Sequence, residues 1–252
     1  MNFPNLLFVL ACSASTTAFG LFDEPKIERN TSSIEGWSLH VDNKLLREEK
    51  AATAKARKLL KAQLQEIIRV VPSEAVTELQ KVPLYFSPDY PDSQQRAEYH
   101  PGANWLKDNN RDPVMAKAVE FTNIRIFERE TQRMPNFALH ELAHAYHDRF
   151  LPDGFANKDI QGAFERARAA GFYAEVEQRF GDGRSARVKA YAITNPMEYF
   201  AECSEAFFST NDFFPFHKEE LQKHDPEIFE LLHKLWRCPE EKKAATSGEE
   251  AR

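Results

Sequence analysis

His140-Glu141-Leu142-Ala143-His144 sets two imidazoles and a carboxylate within five residues. On an α-helix, positions four apart lie about 40° apart on one face and one turn apart along the axis. Two imidazoles so placed reach a single Zn²⁺, and the Glu between them reaches a water on that metal as general base. From the chain's own His and Glu content a chance match is expected in about 3 of 100 such sequences. Context therefore has to carry the reading. The neighbours Leu139, Leu142, Ala143 and Ala145 make the segment apolar, as a buried metal-bearing helix must be. A catalytic zinc keeps three protein ligands and one open position, so a third ligand is needed further along the chain. A continuation H-x-x-G-x-x-H would supply it locally. Here His147 stands at the Gly position and Phe150 at the last His position, which excludes that arrangement. His147 shares the face of His140 two turns on and is expected to pack or support rather than to ligate.

Two acids compete for the third place. Glu165 follows His144 at thermolysin-type spacing, but its surroundings, Ala163-Phe164-Glu165-Arg166-Ala167-Arg168, hold no second acid. Glu198-Tyr199-Phe200-Ala201-Glu202 instead places two carboxylates at i and i+4 of an otherwise apolar helix. Burying two acids is costly unless a metal or hydrogen bonds offset it. Glu198 is therefore the favoured third ligand, and Glu202 the acid that orients a ligand imidazole. The plainer account is an acid favoured by the helix dipole near an N-terminus, which suits Glu198 better than Glu202.

His140 to His144 followed by Asn195-Pro196-Met197-Glu198-Tyr199-Phe200-Ala201-Glu202 resembles the lethal-factor-like gluzincins, the group that includes the Pro-Pro endopeptidases. The resemblance spans roughly Val82 to Trp236. It implies that the first Glu of the second motif completes the zinc site. It also implies that Tyr191, seven residues before that Glu, assists the oxyanion. The insertion between the two motif helices is longer than in that family, and Cys203 follows the second acid. The resemblance does not reach Asp23 to Val71.

These groups need rigid elements to hold them. Leu60, Leu64, Ile67, Ile68 and Val71 recur at helical spacing, predicting a long helix over Asn43 to Val71 that Pro72 stops. A short helix from Ser73 through Leu79 follows. Val82 to Phe86 reads as a strand, with further short strands around Tyr99-His100-Pro101 and Val119-Glu120-Phe121. The last of these precedes the metal helix and is expected to pair with an extended substrate. Helices are predicted over Asn136 to Phe150, over Lys158 to Phe180 ending at Gly181-Asp182-Gly183, and from Pro196 to Phe208 with Asn195 or Thr194 as cap. Helical pieces around His217 to Lys223 and Pro226 to Arg237 complete the set. Glu24 to Trp37 reads as polar and irregular. The predicted fold is a single α+β, zincin-like domain, mostly helical with a small mixed sheet. The boundaries are a signal peptide over 1–20, an irregular segment over 21–43, the metallopeptidase domain over 44–238 and a disordered tail over 239–252.

Composition bounds the rest. The chain has 252 residues, 42% hydrophobic, with 20 Phe, which is ample material for a core. A net charge of −6 argues against a nucleic-acid binder. Met1 to Gly20 carries no charged side chain, and Leu6 to Ala11 is a short apolar run followed by small residues, a secretory pattern with cleavage after Ala18 or Gly20. The expectation is thus a secreted or periplasmic monomer, without a stable membrane span, that hydrolyses peptide bonds in a peptide or protein substrate with Zn²⁺. A non-cleaving zinc-binding interaction module on an exported protein is the alternative, although such a binder needs neither Glu141 nor Tyr191. A helical adaptor would leave the buried acids unexplained. Cys203 and Cys238 either pair in an oxidising compartment, where the closed loop would contribute about 3–4 kcal/mol, or stay as two buried thiols.

Overall fold

In Trp37-Ser38-Leu39-His40-Val41 alternation puts Trp37, Leu39 and Val41 on one face, and all three are buried. The computed structural model, which describes residues 27–91 and 93–239, makes this segment strand β2 (Trp37–Asp42). It pairs with the preceding β1 (Arg29–Ile34) as an antiparallel hairpin. The expected irregular stretch Glu24 to Trp37 is therefore largely strand and turn. The signal was local: Glu35 and Gly36 both have positive φ, 49° and 92°, the two-residue turn whose twist suits a hairpin. β1 escapes a hydrophobicity search because five of its six residues, Arg29-Asn30-Thr31-Ser32-Ser33, are polar.

The predicted long helix is two, α1 (Asn43–Glu48) and α2 (Lys50–Val70), divided at Glu49 with φ −124° and ψ 32°. Across the break the Thr53 hydroxyl donates to the Leu45 carbonyl, 3.3 Å away, a side-chain bond that competes with the helix ladder. Then come α3 (Ser73–Leu79), β3 (Leu84–Phe86), β4 (Ala97–Tyr99), α4 (Ala103–Asp108) and β5 (Val119–Phe121). The sheet order is β1-β2-β3-β5-β4, with β2, β3 and β5 parallel and both outer strands antiparallel to their neighbours. β5 thus lies between β3 and β4 and has no free edge. Pairing of an extended substrate with Val119 to Phe121 is ruled out on that ground, and the strand with an open edge on that side is β4.

The helices α5 (Phe127–Arg133) and α6 (Phe137–Phe150) follow, then α7 (Lys158–Ala170). α7 stops ten residues earlier than predicted, because Gly171 takes the left-handed conformation (φ 73°) that closes a helix. The remainder becomes a second hairpin, β6 (Val176–Arg179) and β7 (Ser185–Val188), with Gly181-Asp182-Gly183 in its loop. Helices α8 (Pro196–Phe208), α9 (Lys218–His224) and α10 (Pro226–Leu235) complete the order. Among the described residues no helix is long and apolar enough to cross a membrane. The predicted signal peptide lies outside them, as does the predicted tail beyond Pro239.

Packing fixes α6 against α8. Trp236, just past α10, is fully buried and stacks on Tyr146 of α6 (ring centroids 4.1 Å apart, 8° between planes). On its other side it lies near-parallel to Phe200 of α8 (5.8 Å, 10°), and its indole N–H donates to Ser204 Oγ at 3.0 Å. One side chain thereby joins three helices. The start of α6 is tied to α2 by Gln63: its Oε1 accepts the Ala138 backbone N–H (3.0 Å), and its carbonyl accepts from Asn136 Nδ2 (3.2 Å). Gln63→Leu should strand a buried helix-terminal N–H and lower stability by about 1–3 kcal/mol. Urea unfolding checks this; no change in midpoint would mean that α6 is anchored elsewhere.

Candidate metal centre

The cap at Asn136 and the bond from Ala138 to Gln63 fix where α6 begins, and therefore which face of it meets α8. Asn136 Oδ1 accepts from the Leu139 N–H at 3.1 Å. Leu139, Leu142 and Ala143 enter the core while His140 and His144 project together on the other side. Their Nε2 atoms are 3.1 Å apart. α8 opens with Pro196 in its first turn and Asn195 as cap, whose Oδ1 accepts the N–H groups of Met197 and Glu198, both at 2.9 Å. That cap places Glu198 one turn into α8, with its Oε2 3.2 Å from each imidazole Nε2.

Three donor atoms at 3.1–3.2 Å from one another form a nearly equilateral triangle. Tetrahedral zinc with bonds of about 2.0–2.1 Å separates its ligands by about 3.3 Å. The two nitrogens and one carboxylate oxygen fit that geometry and that donor chemistry. Burial alone would push Glu198 upward, but the hydrogen bonds from His140 and His144 outweigh it and hold the carboxyl well below the usual range. His140 shows the mirror effect. Burial would lower it, yet Glu198 and Glu205 raise it well above an ordinary imidazole. Each group is shaped to share a positive charge.

Behind His140 lie two more acids. Glu202 Oε1 is 3.6 Å and Glu205 Oε2 3.8 Å from His140 Nδ1, a nitrogen with no hydrogen-bond partner among the described residues. Both carboxyls are buried, and burial pushes both upward. Asn211 Nδ2 holds Glu202 Oε2 at 3.1 Å, whereas Glu205 has the His140 ring as its charged neighbour and no hydrogen bond within 3.5 Å among the described residues. Glu205 is the residue that sequence reasoning missed. Its signal was present: it stands seven after Glu198 and three after Glu202 on one face of an apolar helix.

Glu141 does not face α8. Its Oε2 accepts the backbone N–H of Tyr99, at the end of β4, at 2.8 Å. Tyr191 sits in a 3-10 turn just before α8 with 47% of its surface exposed, and its hydroxyl donates to Glu198 Oε1 at 3.4 Å. These groups line a cleft of about 460 Å³ whose far wall includes Arg133, Met134 and Phe213. Glu165 is elsewhere, on the exposed face of α7 in an ion pair with Arg168. Cys203 and Cys238 are both free thiols.

His147 also stays out of the cluster. It is fully buried between Phe155 and Phe200, with ring centroids 5.1 and 5.0 Å away, and neither ring nitrogen is hydrogen-bonded among the described residues. Burial, and then the charge of His144, lower its pKa to about 4. An unfolded imidazole protonates near 6.5, so below that pH the unfolded chain binds the extra proton. Stability from this residue is complete above about pH 6.5 and drains as pH falls towards 4, by about 3 kcal/mol. His147→Leu should flatten that slope. Urea midpoints of both proteins at pH 7.5, 6 and 5 test it, and parallel curves would refute a buried neutral imidazole.

No curated protein sequence matches the chain. Among solved structures, the PRO-PRO endopeptidase PPEP-2 from Paenibacillus alvei is similar at a TM-score of 0.42 and 16% identity, over 72% of this chain and 90% of that one. The profile of the family described as glucose-regulated metallo-peptidase M90 matches residues 109–237, just over half of the chain and the whole span from α6 through α10. The chain belongs to the M90 metallopeptidases.

Proposed function

We propose that this metallopeptidase is a zincin-like, gluzincin-type enzyme that binds one Zn²⁺ through His140, His144 and Glu198 and hydrolyses peptide bonds. The observation that carries the reading is the donor triangle of 3.1–3.2 Å, built from two neutral-capable nitrogens and one carboxylate. When bound, zinc supplies Lewis acidity that brings the pKa of a water towards 7 and polarises a carbonyl.

The chain's own groups do the remaining work. The Tyr99 N–H fixes one oxygen of Glu141, leaving the other free to take a proton from the attacking water and deliver it to the leaving nitrogen. The Tyr191 hydroxyl, exposed at the cleft, donates to the carbonyl oxygen as it gains negative charge. Glu202 holds His140 from behind, keeping its other nitrogen turned towards Glu198. β4 offers the scissile segment an edge. Glu98 pairs with Glu120 of β5, so the alternate residues Ala97 and Tyr99 turn backbone groups away from the sheet and towards the cleft; the Tyr99 N–H is taken by Glu141, which leaves the Ala97 N–H and the two carbonyls for the substrate.

The uncharged sequence Met1 to Gly20, with its apolar run Leu6 to Ala11, supports export as a cleaved leader, which N-terminal sequencing of the protein recovered outside the cytoplasm would test through a start at Phe19 or Leu21. Retention with Met1 intact would refute it.

Purified protein should carry about one zinc per chain, lost in His140→Ala, His144→Ala and Glu198→Ala but kept in Glu165→Ala. Zinc retained by Glu198→Ala would remove the third ligand from this scheme. Glu141→Gln should keep fold and metal and lose nearly all hydrolysis of a peptide library, while Tyr191→Phe should lower kcat by about 10²–10³. Activity of Glu141→Gln within a few-fold of the parent would place the base elsewhere. Metal without cleavage in the parent protein would favour the non-cleaving zinc module.

A further inference from the structure

The sheet's other margin carries a groove that the metal centre does not use. β1 and β4 are its two outer strands, and β4 belongs to the cleft. In the β1–β2 hairpin, Ile34 and Trp37 flank the two-residue turn and form a hydrogen-bonded pair. Ser32 and Asn30 follow Ile34 in facing β2, so Thr31 and Ser33 turn their backbone N–H and C=O groups outward. None of those four groups has a backbone or side-chain partner among the described residues. Natural edge strands are blunted by Lys, Pro or a bulge. β1 has neither residue, and its register with β2 runs without a bulge from Arg29 opposite Asp42 to Ile34 opposite Trp37.

α2 sets a cationic stripe beside this edge. Lys50, Arg57, Lys58 and Lys61 are exposed and share one face of the helix, within about 100° of arc. Lys61 approaches Glu35 at 3.4 Å, while Lys50, Arg57 and Lys58 make no ion pair among the described residues. Between the two elements runs an open groove of about 390 Å³, with Ser33, Ile34 and Glu35 on one bank and Ala54, Arg57, Lys58 and Lys61 on the other; Glu35 engages Lys61 and leaves Arg57 and Lys58 as the groove's cations without an ion pair among the described residues. The face of β1 that carries Ile34 is the face on which Trp37, Leu39 and Val41 are buried. A strand added along β1 would turn every second side chain towards that same side, where the cations stand.

We propose that this groove docks an extended acidic segment of a partner protein, added to the sheet alongside β1, with carboxylates at alternate positions pairing with Arg57 and Lys58. Two independent features select that partner. The unpaired backbone ladder recognises polypeptide, since a nucleic acid has no matching N–H and C=O row. The stripe recognises acid, and it stands as a local run of positive charge in a chain whose net charge is −6. This docking is independent of the metal reading, because it uses no residue of the cleft.

The probe is a fluorescein-labelled nonapeptide with Glu at every second position and Val or Thr between, titrated with the full-length protein and read by fluorescence anisotropy at about 50 mM salt. Saturable binding is expected, weakened at least about tenfold in Arg57→Glu/Lys58→Glu, whose exposed positions tolerate the change. A similar loss is expected when Pro replaces the central residue of the probe, because Pro cannot donate to a ladder. Ser33→Pro removes one outward N–H at an edge position and should weaken binding while leaving zinc content unchanged. Absence of saturable binding would overturn the proposal. So would equal binding by the Pro-containing probe, which would reduce the effect to charge alone. Tighter binding of a single-stranded oligonucleotide, lost in the charge variant and kept in Ser33→Pro, would identify a polyanion site in its place.

Discussion

The centre depends on holding two helices from distant parts of the chain so that three polar atoms meet at contact distance in the wall of the cleft. His140 and His144 are fixed relative to each other by one turn of α6, but Glu198 reaches them only if α8 lies at one spacing and one rotation. Left without a positive partner, a carboxylate so buried would cost several kcal/mol. The imidazoles beside it offset this, which is why Glu198 and His140 are driven in opposite directions from their ordinary ranges. The site is thus a source of instability that the surrounding packing must absorb.

That packing is concentrated in few residues. Trp236 closes α6 on α8 from one side with two stacked rings and a hydrogen bond to Ser204. Gln63 ties the start of α6 to α2, and Asn195 sets the start of α8. Each acts at the end of a helix or on its buried flank, so each fixes rotation as well as distance. β4 contributes from a third direction by engaging Glu141 through the Tyr99 N–H. Glu141 and the two imidazoles therefore belong to one helix but are held by opposite neighbours.

The acids behind the site follow the same logic. Glu202 and Glu205 are more deeply buried than Glu198 and face the nitrogen of His140 that is turned away from the cluster. Three acids within about two turns of one helix would repel one another as carboxylates. They are tolerated here because the His140 ring faces all three and Asn211 donates to Glu202.

What the sequence determined by itself is what depends on spacing within one element. The pair His140 and His144, the Glu141 between them and the Asn195-Pro196 start of α8 are set by helical periodicity and by cap chemistry, both local. The early end of α7 and the β1–β2 turn were also local, written in Gly171 and Glu35-Gly36, but were obscured by a later Gly and by a polar strand. Only the tertiary structure decided that Glu198 rather than Glu165 meets the imidazoles. Both acids follow the first motif, and the choice rests on helix rotation across a gap of more than fifty residues. It also decided that β4 rather than β5 offers the open edge. Strand order is set by which crossovers pack, and no strand of three residues carries that information within itself.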